Sequence, residues 1–159
     1  MKKFKGFTLV ELIVVIAIIG VLAAILVPNM MGYISKSKLS SANTAAKNTQ
    51  TALVTYKADQ ESMGNPVTVN SSGAWDVATG SGDAQKEAVY TALAGNSNMG
   101  NVAFGEGTMN GETVIWAQWR DSSTATVWGQ YPNAQSDYTT FKNSSAVFGT
   151  FVDGSAVNW

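Results

Sequence analysis

The sequence predicts an α+β fold. A long N-terminal hydrophobic α-helix extends into an amphipathic helix, which packs on an antiparallel β-sheet of about four strands. Three observations lead there. From Leu12 to Val27 every residue is apolar or glycine, and Phe7, Leu9 and Val10 carry the run back past Glu11. From Leu39 to Tyr56 small and apolar residues recur at helical spacing. Roughly the last fifty residues change to strand-like alternation broken by turn dipeptides.

The segment 7–27 would form a helix of about 31 Å at about 1.5 Å per residue. A bilayer core is about 30 Å thick. A buried helix of a water-soluble domain usually keeps a polar stripe, and this one has none. Lys2, Lys3 and Lys5 precede the segment while Lys36 and Lys38 follow it. That small excess favours a cytoplasmic N-terminus and an exported C-terminal body. The rival is a secretory signal with Val21-Leu22-Ala23 as a weak cleavage site. Glu11 would interrupt the apolar core of such a signal, and the run continues unbroken to Val27.

Beyond Pro28, residues 32–62 read as the amphipathic continuation. Leu39, Ala42, Ala46, Thr49, Leu53 and Tyr56 share one face, and their small side chains let a sheet lie close. Gly64 and Pro66 end the helix. Residues 67–82 read as loop, and Asp83–Leu93 as a short helix with Asp83 as N-cap. Residues 96–110 read as a second Gly- and Asn-rich connection with a short strand at Val102–Phe104. Strands are expected at Thr113–Arg120 and Ala125–Tyr131, joined by the Asp121–Thr124 turn. Two more are expected at Ser145–Val152 and Ser155–Trp159, flanking the type I′ dipeptide Asp153-Gly154.

Composition removes whole classes of chemistry. Cysteine and histidine are both absent. That eliminates disulfides, metal sites built on those residues and the usual base for a nucleophilic serine. Net charge is −1, and no basic stripe suited to nucleic acid appears. No phosphate-binding glycine loop or calcium-ligand spacing is present. The expectation is a non-enzyme without cofactor or metal.

Lys5-Gly6-Phe7-Thr8-Leu9-Val10-Glu11-Leu12 resembles the cleavage and methylation motif of type IV pilins and the related pseudopilins. The resemblance covers roughly the first 35 residues and includes Gly20 and Pro28. It implies the pilin fold, with a leader at 1–6, a transmembrane and fibre-core helix at 7–28, and an amphipathic half at 29–62. A loop region with a short helix would follow at 63–112, then the sheet at 113–159. It also implies cutting between Gly6 and Phe7 by a prepilin peptidase and N-methylation of Phe7. A single-pass precursor in the cytoplasmic membrane would then polymerise, through a pilus assembly platform, into an extracellular helical filament. Adhesion, aggregation or twitching motility would be its uses. A pseudopilin of a type II secretion or DNA-uptake system is the alternative within the same architecture. Removing the three leader lysines leaves seven basic side chains against eleven acidic, a charge of −4. Many pilins close a C-terminal loop with a disulfide, which this chain cannot do. Cysteine-free, Gram-positive-type pilins are therefore the expected comparison.

Within that resemblance, Glu11 is the candidate for subunit register. A carboxylate inside a membrane-length helix costs on the order of 2.5–3.5 kcal/mol near its centre, so it calls for a partner. The amine exposed at Phe7 by cleavage, from the same chain or a neighbour, would supply one. The alternative is that Glu11, near the helix end, simply reaches the interface. Gly20 and Pro28 are candidates for a helix break in the fibre, or for a simple kink. Trp116, Trp119 and Trp128 are candidates for a ligand surface facing polysaccharide or a cell, against the alternative of core or interface packing. That surface supports a third reading, a membrane-anchored carbohydrate-binding protein.

Overall fold

The computed structural model describes residues 6–70, 73–79, 83–94, 99–134 and 148–151. Two compact units are present, Met1–Ser35 and Lys36–Trp159. Helix α1 runs from Leu9 to Ser62 with Pro28 inside it. Proline offers no backbone donor to the carbonyl four residues back. The Asn29 side chain donates to the neighbouring Ile25 carbonyl at 3.2 Å, and the helix continues through this point.

In the second unit, the stripe read from the spacing forms the core. Leu39, Ala42, Ala46, Thr49 and Leu53 are buried, Ala45 joins them, and Tyr56 is half-buried. The Thr49 hydroxyl donates to the Ala45 carbonyl at 2.9 Å, so the one polar member of the stripe is satisfied. Strands β1 (Trp75–Asp76), β2 (Asn101–Met109), β3 (Glu112–Arg120) and β4 (Trp128–Tyr131) make one sheet in the order β1-β2-β3-β4, antiparallel throughout. Val102 and Phe104 of β2 and Ala117 and Trp119 of β3 cluster with Ala42, Ala46 and Leu53 of α1. Burying a side chain such as Leu53 or Phe104 contributes roughly 1.5–3 kcal/mol.

Small residues set how close the helix and sheet come. A β-carbon at Gly129 of β4 would overlap the backbone of Ala42 and Asn43. Asn43 then accepts from the Gln130 backbone N–H at 3.2 Å, which occupies a donor on this short edge strand. Further along α1, Lys57 Nζ lies 2.8 Å from Glu106 Oε1 of β2. The same oxygen accepts from Val69 N at 3.1 Å. The Lys57 hydrogen bond, followed by that of Val69, holds the Glu106 carboxyl below its ordinary range.

Helix α2 (Ala84–Leu93) begins as its sequence suggests, with Asp83 Oδ1 accepting from Gln85 N at 2.7 Å. Its buried Gln85 side chain donates to Thr68 O at 2.8 Å and accepts from Asn70 N at 3.1 Å. One amide thereby ties the 68–70 loop to the helix.

The four-stranded sheet is present, but β1 was not expected and β2 is longer than expected. β2 fills all of 101–109, where only a short strand was expected inside a loop. Gly105 and Gly107 made the region read as loop, yet both lie in the ladder, Gly105 opposite Trp116. A β-carbon at Gly107 would press into Phe151 and Trp116, so the aromatic rings occupy the space this glycine leaves. Asn110-Gly111, with φ of 53° and 82°, makes the tight turn that pairs Met109 with Glu112. β1 also falls where loop was expected. The sheet therefore begins at Trp75, and position 113 is no boundary. β4 is shorter than Ala125–Tyr131, because 125–127 remain in the connection from β3. Of the expected strand Ser145–Val152, Phe148–Phe151 form turn and bend instead. Its other residues, with Asp153-Gly154 and Ser155–Trp159, lie outside the described residues.

Two outcomes follow. Gly129→Ala should destabilise the domain by about 3 kcal/mol, the upper end for overpacking, because backbone rather than a flexible side chain fills the space. Denaturant unfolding of the full chain in detergent checks this. Glu106 is held below an unfolded value near 4.5, so its contribution is complete above that pH and fades as pH falls through the folded value. The melting temperature should thus drop between pH 6 and pH 3.5. Glu106→Gln should lower it at pH 7, by about 1 kcal/mol of stability, and flatten that dependence. A variant with wild-type acid sensitivity would remove Glu106 from this role.

Candidate assembly site

The chain enters α1 through an uncoiled Gly6-Phe7-Thr8. Thr8 is the N-cap. Its carbonyl accepts from Leu12 N at 3.3 Å, and its hydroxyl accepts from Glu11 N at 3.3 Å. Glu11 reaches back, and its Oε2 accepts from Thr8 N and from Thr8 Oγ1, each at 2.8 Å. This is a reciprocal capping box, with threonine at the cap and glutamate three residues on. The carboxylate also lies where a helix N-terminus favours negative charge. Glu11 therefore has a partner within its own first turn. Its second oxygen, Oε1, accepts no hydrogen bond among the described residues. Thr8 was not singled out in the sequence, although Thr8-Leu9-Val10-Glu11 carries the S/T-x-x-E signature that would have found it.

Phe7 is 86% exposed, and every residue from Gly6 to Ile34 is exposed. Among the described residues one helix is long and apolar enough to cross a membrane, with a mean hydropathy of 3.1 in its most apolar window. Gly20 lies in this stretch and a β-carbon there would meet nothing within 4 Å. The helix is unbroken at both Gly20 and Pro28. Gly6, Phe7, Thr8 and Glu11 thus lie together at one end of an uncovered apolar helix.

The three tryptophans proposed for a ligand surface are buried instead. Trp119 is 9% exposed and belongs to the core, with its Nε1 donating to Met99 O at 2.8 Å. Trp116 stacks on Phe151, centroids 5.9 Å apart, and Trp128 meets Phe148 edge to face at 5.8 Å. β3 is enclosed because α1 covers one of its faces and residues 148–151 cover the other. The open aromatic platform expected from the sequence is not formed by these residues. Trp119 borders an open cleft of about 380 Å³ with Ser37, Lys38, Ser41, Asp121 and Val127.

Residues 1–27 match the prokaryotic N-terminal methylation motif. The fimbrial protein of Moraxella nonliquefaciens is 47% identical over 57 residues, 36% of this chain and 37% of that protein. With such relatives the match spans little more than a third of their length. The type IV major pilin protein PilE of Neisseria gonorrhoeae is 31% identical over 143 residues, covering 86% of this chain and 81% of PilE. A fimbrial protein of Neisseria meningitidis is 30% identical over 129 residues, 79% of this chain and 73% of that protein. No solved structure matches. These relatives lend no support to the narrower Gram-positive-type comparison. The long likeness to PilE, the methylation motif at 1–27 and an apolar helix leading into a four-stranded antiparallel sheet agree: the chain belongs to the type IV pilin family.

Proposed function

We propose that this chain is the structural subunit of a type IV pilus. It is inserted in the cytoplasmic membrane, cut after Gly6 by a prepilin peptidase, N-methylated at Phe7 and polymerised by an assembly platform into a surface fibre for adhesion, aggregation or twitching motility. The observation that carries this reading is the Gly6–Glu11 motif at the head of an exposed apolar helix. Leaving about twenty apolar side chains in water is untenable when each gains roughly 1.5–3 kcal/mol on burial. Lipid covers them in the precursor, and like helices cover them in the fibre.

The capping box refines the role of Glu11. Oε2 holds the first turn of α1, while Oε1 remains for the Phe7 amine of the same chain or a neighbour. The charge pair then sets the axial register of subunits, since a charge left unpaired in a dry helix bundle is heavily penalised. A pseudopilin shares the motif and differs in not being shed as a bulk surface fibre. With Trp116 and Trp128 covered by phenylalanines, the carbohydrate-binding reading has lost the feature that suggested it.

Mass spectrometry of material sheared from cells should find abundant chains starting at methylated Phe7. Chains confined to membranes and retaining Met1 would overturn the pilus reading. Methylated chains absent from the sheared fraction would identify a pseudopilin. Two substitutions separate cap from charge. Thr8→Ala weakens the cap by about 1 kcal/mol and keeps the carboxylate, so fibre yield should be largely retained. Glu11→Gln preserves a capping side chain but strands the amine, and fibre yield should fall at least ~10-fold. Equal yields from the two variants would show that Glu11 acts through the cap alone.

A further inference from the structure

We propose that Phe148–Phe151 is a noncovalent clasp, locked by the carboxamides of Gln118 and Gln130, that keeps the face of the sheet turned away from α1 closed. Gln118 and Gln130 are opposite each other in the β3–β4 ladder, and both are fully buried. Gln118 Nε2 donates to Gln130 Oε1 at 2.9 Å and to Thr150 O at 2.6 Å. Gln118 Oε1 accepts from Gly149 N at 2.7 Å, and Gln130 Nε2 donates to Pro132 O at 3.2 Å. A carboxamide has two donor hydrogens and an acceptor oxygen, so both N–H groups of Gln118 are used and its oxygen is engaged as well. Its orientation is dictated by its partners, because Thr150 O needs a donor and Gly149 N needs an acceptor. Through this one side chain, backbone 31 residues away is held as a strand neighbour would hold it.

Rings on either side complete the clasp. Phe151 stacks on Trp116 at an interplanar angle of 20°, in the space left by the missing side chain of Gly107. Phe148 sits edge-on to Trp128, with the Arg120 guanidinium 4.2 Å above its ring. The segment therefore covers two tryptophans and two carboxamides together. If it lifts, Gln118 loses its bonds to Thr150 and Gly149 while both tryptophans lose their ring partners, and an unpaired buried amide is costly. The locking bonds involve neither titrating carboxylates nor thiols. The clasp thus needs no disulfide in a chain without cysteine.

Hydrogen exchange on the full-length chain in detergent micelles tests this. The Gly149 amide should exchange far more slowly than that of Ser123, an exposed turn residue. Gln118→Met should accelerate Gly149 at least ~10-fold while the β2–β3 ladder amides keep their protection. If Gln118→Met does not fold, Phe151→Ala serves, with the same acceleration and greater quenching of tryptophan fluorescence by acrylamide. Gly149 exchanging like Ser123 in the wild-type chain would overturn the clasp. So would a folded variant with unchanged Gly149 exchange.

Discussion

The closeness of helix to sheet at Gly129 governs the architecture of the described residues beyond Ser35. Side chains on that line shrink to almost nothing, with Ala42 and Ala46 on α1 and glycine on β4. The backbones can therefore approach until the Asn43 side chain reaches the Gln130 amide. Larger residues would hold the elements apart and leave voids around Leu53, Phe104 and Trp119, and voids in a close-packed interior are penalised steeply. Once the helix lies this close, β3 is buried on that side whatever it carries. Its other side needs a cover of its own, which Phe148 and Phe151 provide.

Buried carboxamides recur in this domain where another small exported protein would have a disulfide. Gln85 grips the 68–70 loop through a carbonyl and an N–H, and Gln118 does the same for residues 149 and 150. A glutamine side chain carries the same donor and acceptor as a peptide unit, so it can stand in for a strand neighbour where no strand runs. Each amide fixes a loop without ordering a whole ladder, which limits the conformational entropy lost. The arrangement demands complete pairing, because a half-satisfied buried amide would be worse than an apolar side chain.

What could be read from the sequence follows periodicity and local chemistry. The α1 stripe was legible because five of its six positions are buried by one continuous partner. Asp83 was legible because capping is decided within three residues. β3 showed itself through alternation. β2 was hidden by Gly105 and Gly107, which mark a turn in a local reading, although Gly107 here makes room for rings from distant parts of the chain. The turn that closes its hairpin, Asn110-Gly111, was the same kind of signal as Asp153-Gly154, and the surrounding glycines obscured it. Thr8 escaped notice because Glu11 was weighed as a charge seeking an opposite charge, while its nearest partner is a backbone N–H three residues back. The clasp has no period at all, since it joins single residues far apart in sequence.

The capping box changes how Glu11 should be understood. An unpartnered carboxylate would resist insertion and pull the helix end toward water, making membrane entry and fibre assembly compete for it. With Oε2 committed to Thr8 N and Oγ1, part of the desolvation penalty is offset inside the monomer, and the first turn arrives preformed. Under the proposed pairing, assembly would need to satisfy only what remains, and the gain from pairing with Phe7 would be smaller than for a bare charge. That smaller gain would suit the proposed subunit, which leaves the bilayer for a fibre. A strong, deeply buried ion pair would hold one state too firmly, whereas a half-satisfied carboxylate in the proposed register role would distinguish correct from incorrect register without making either environment a trap.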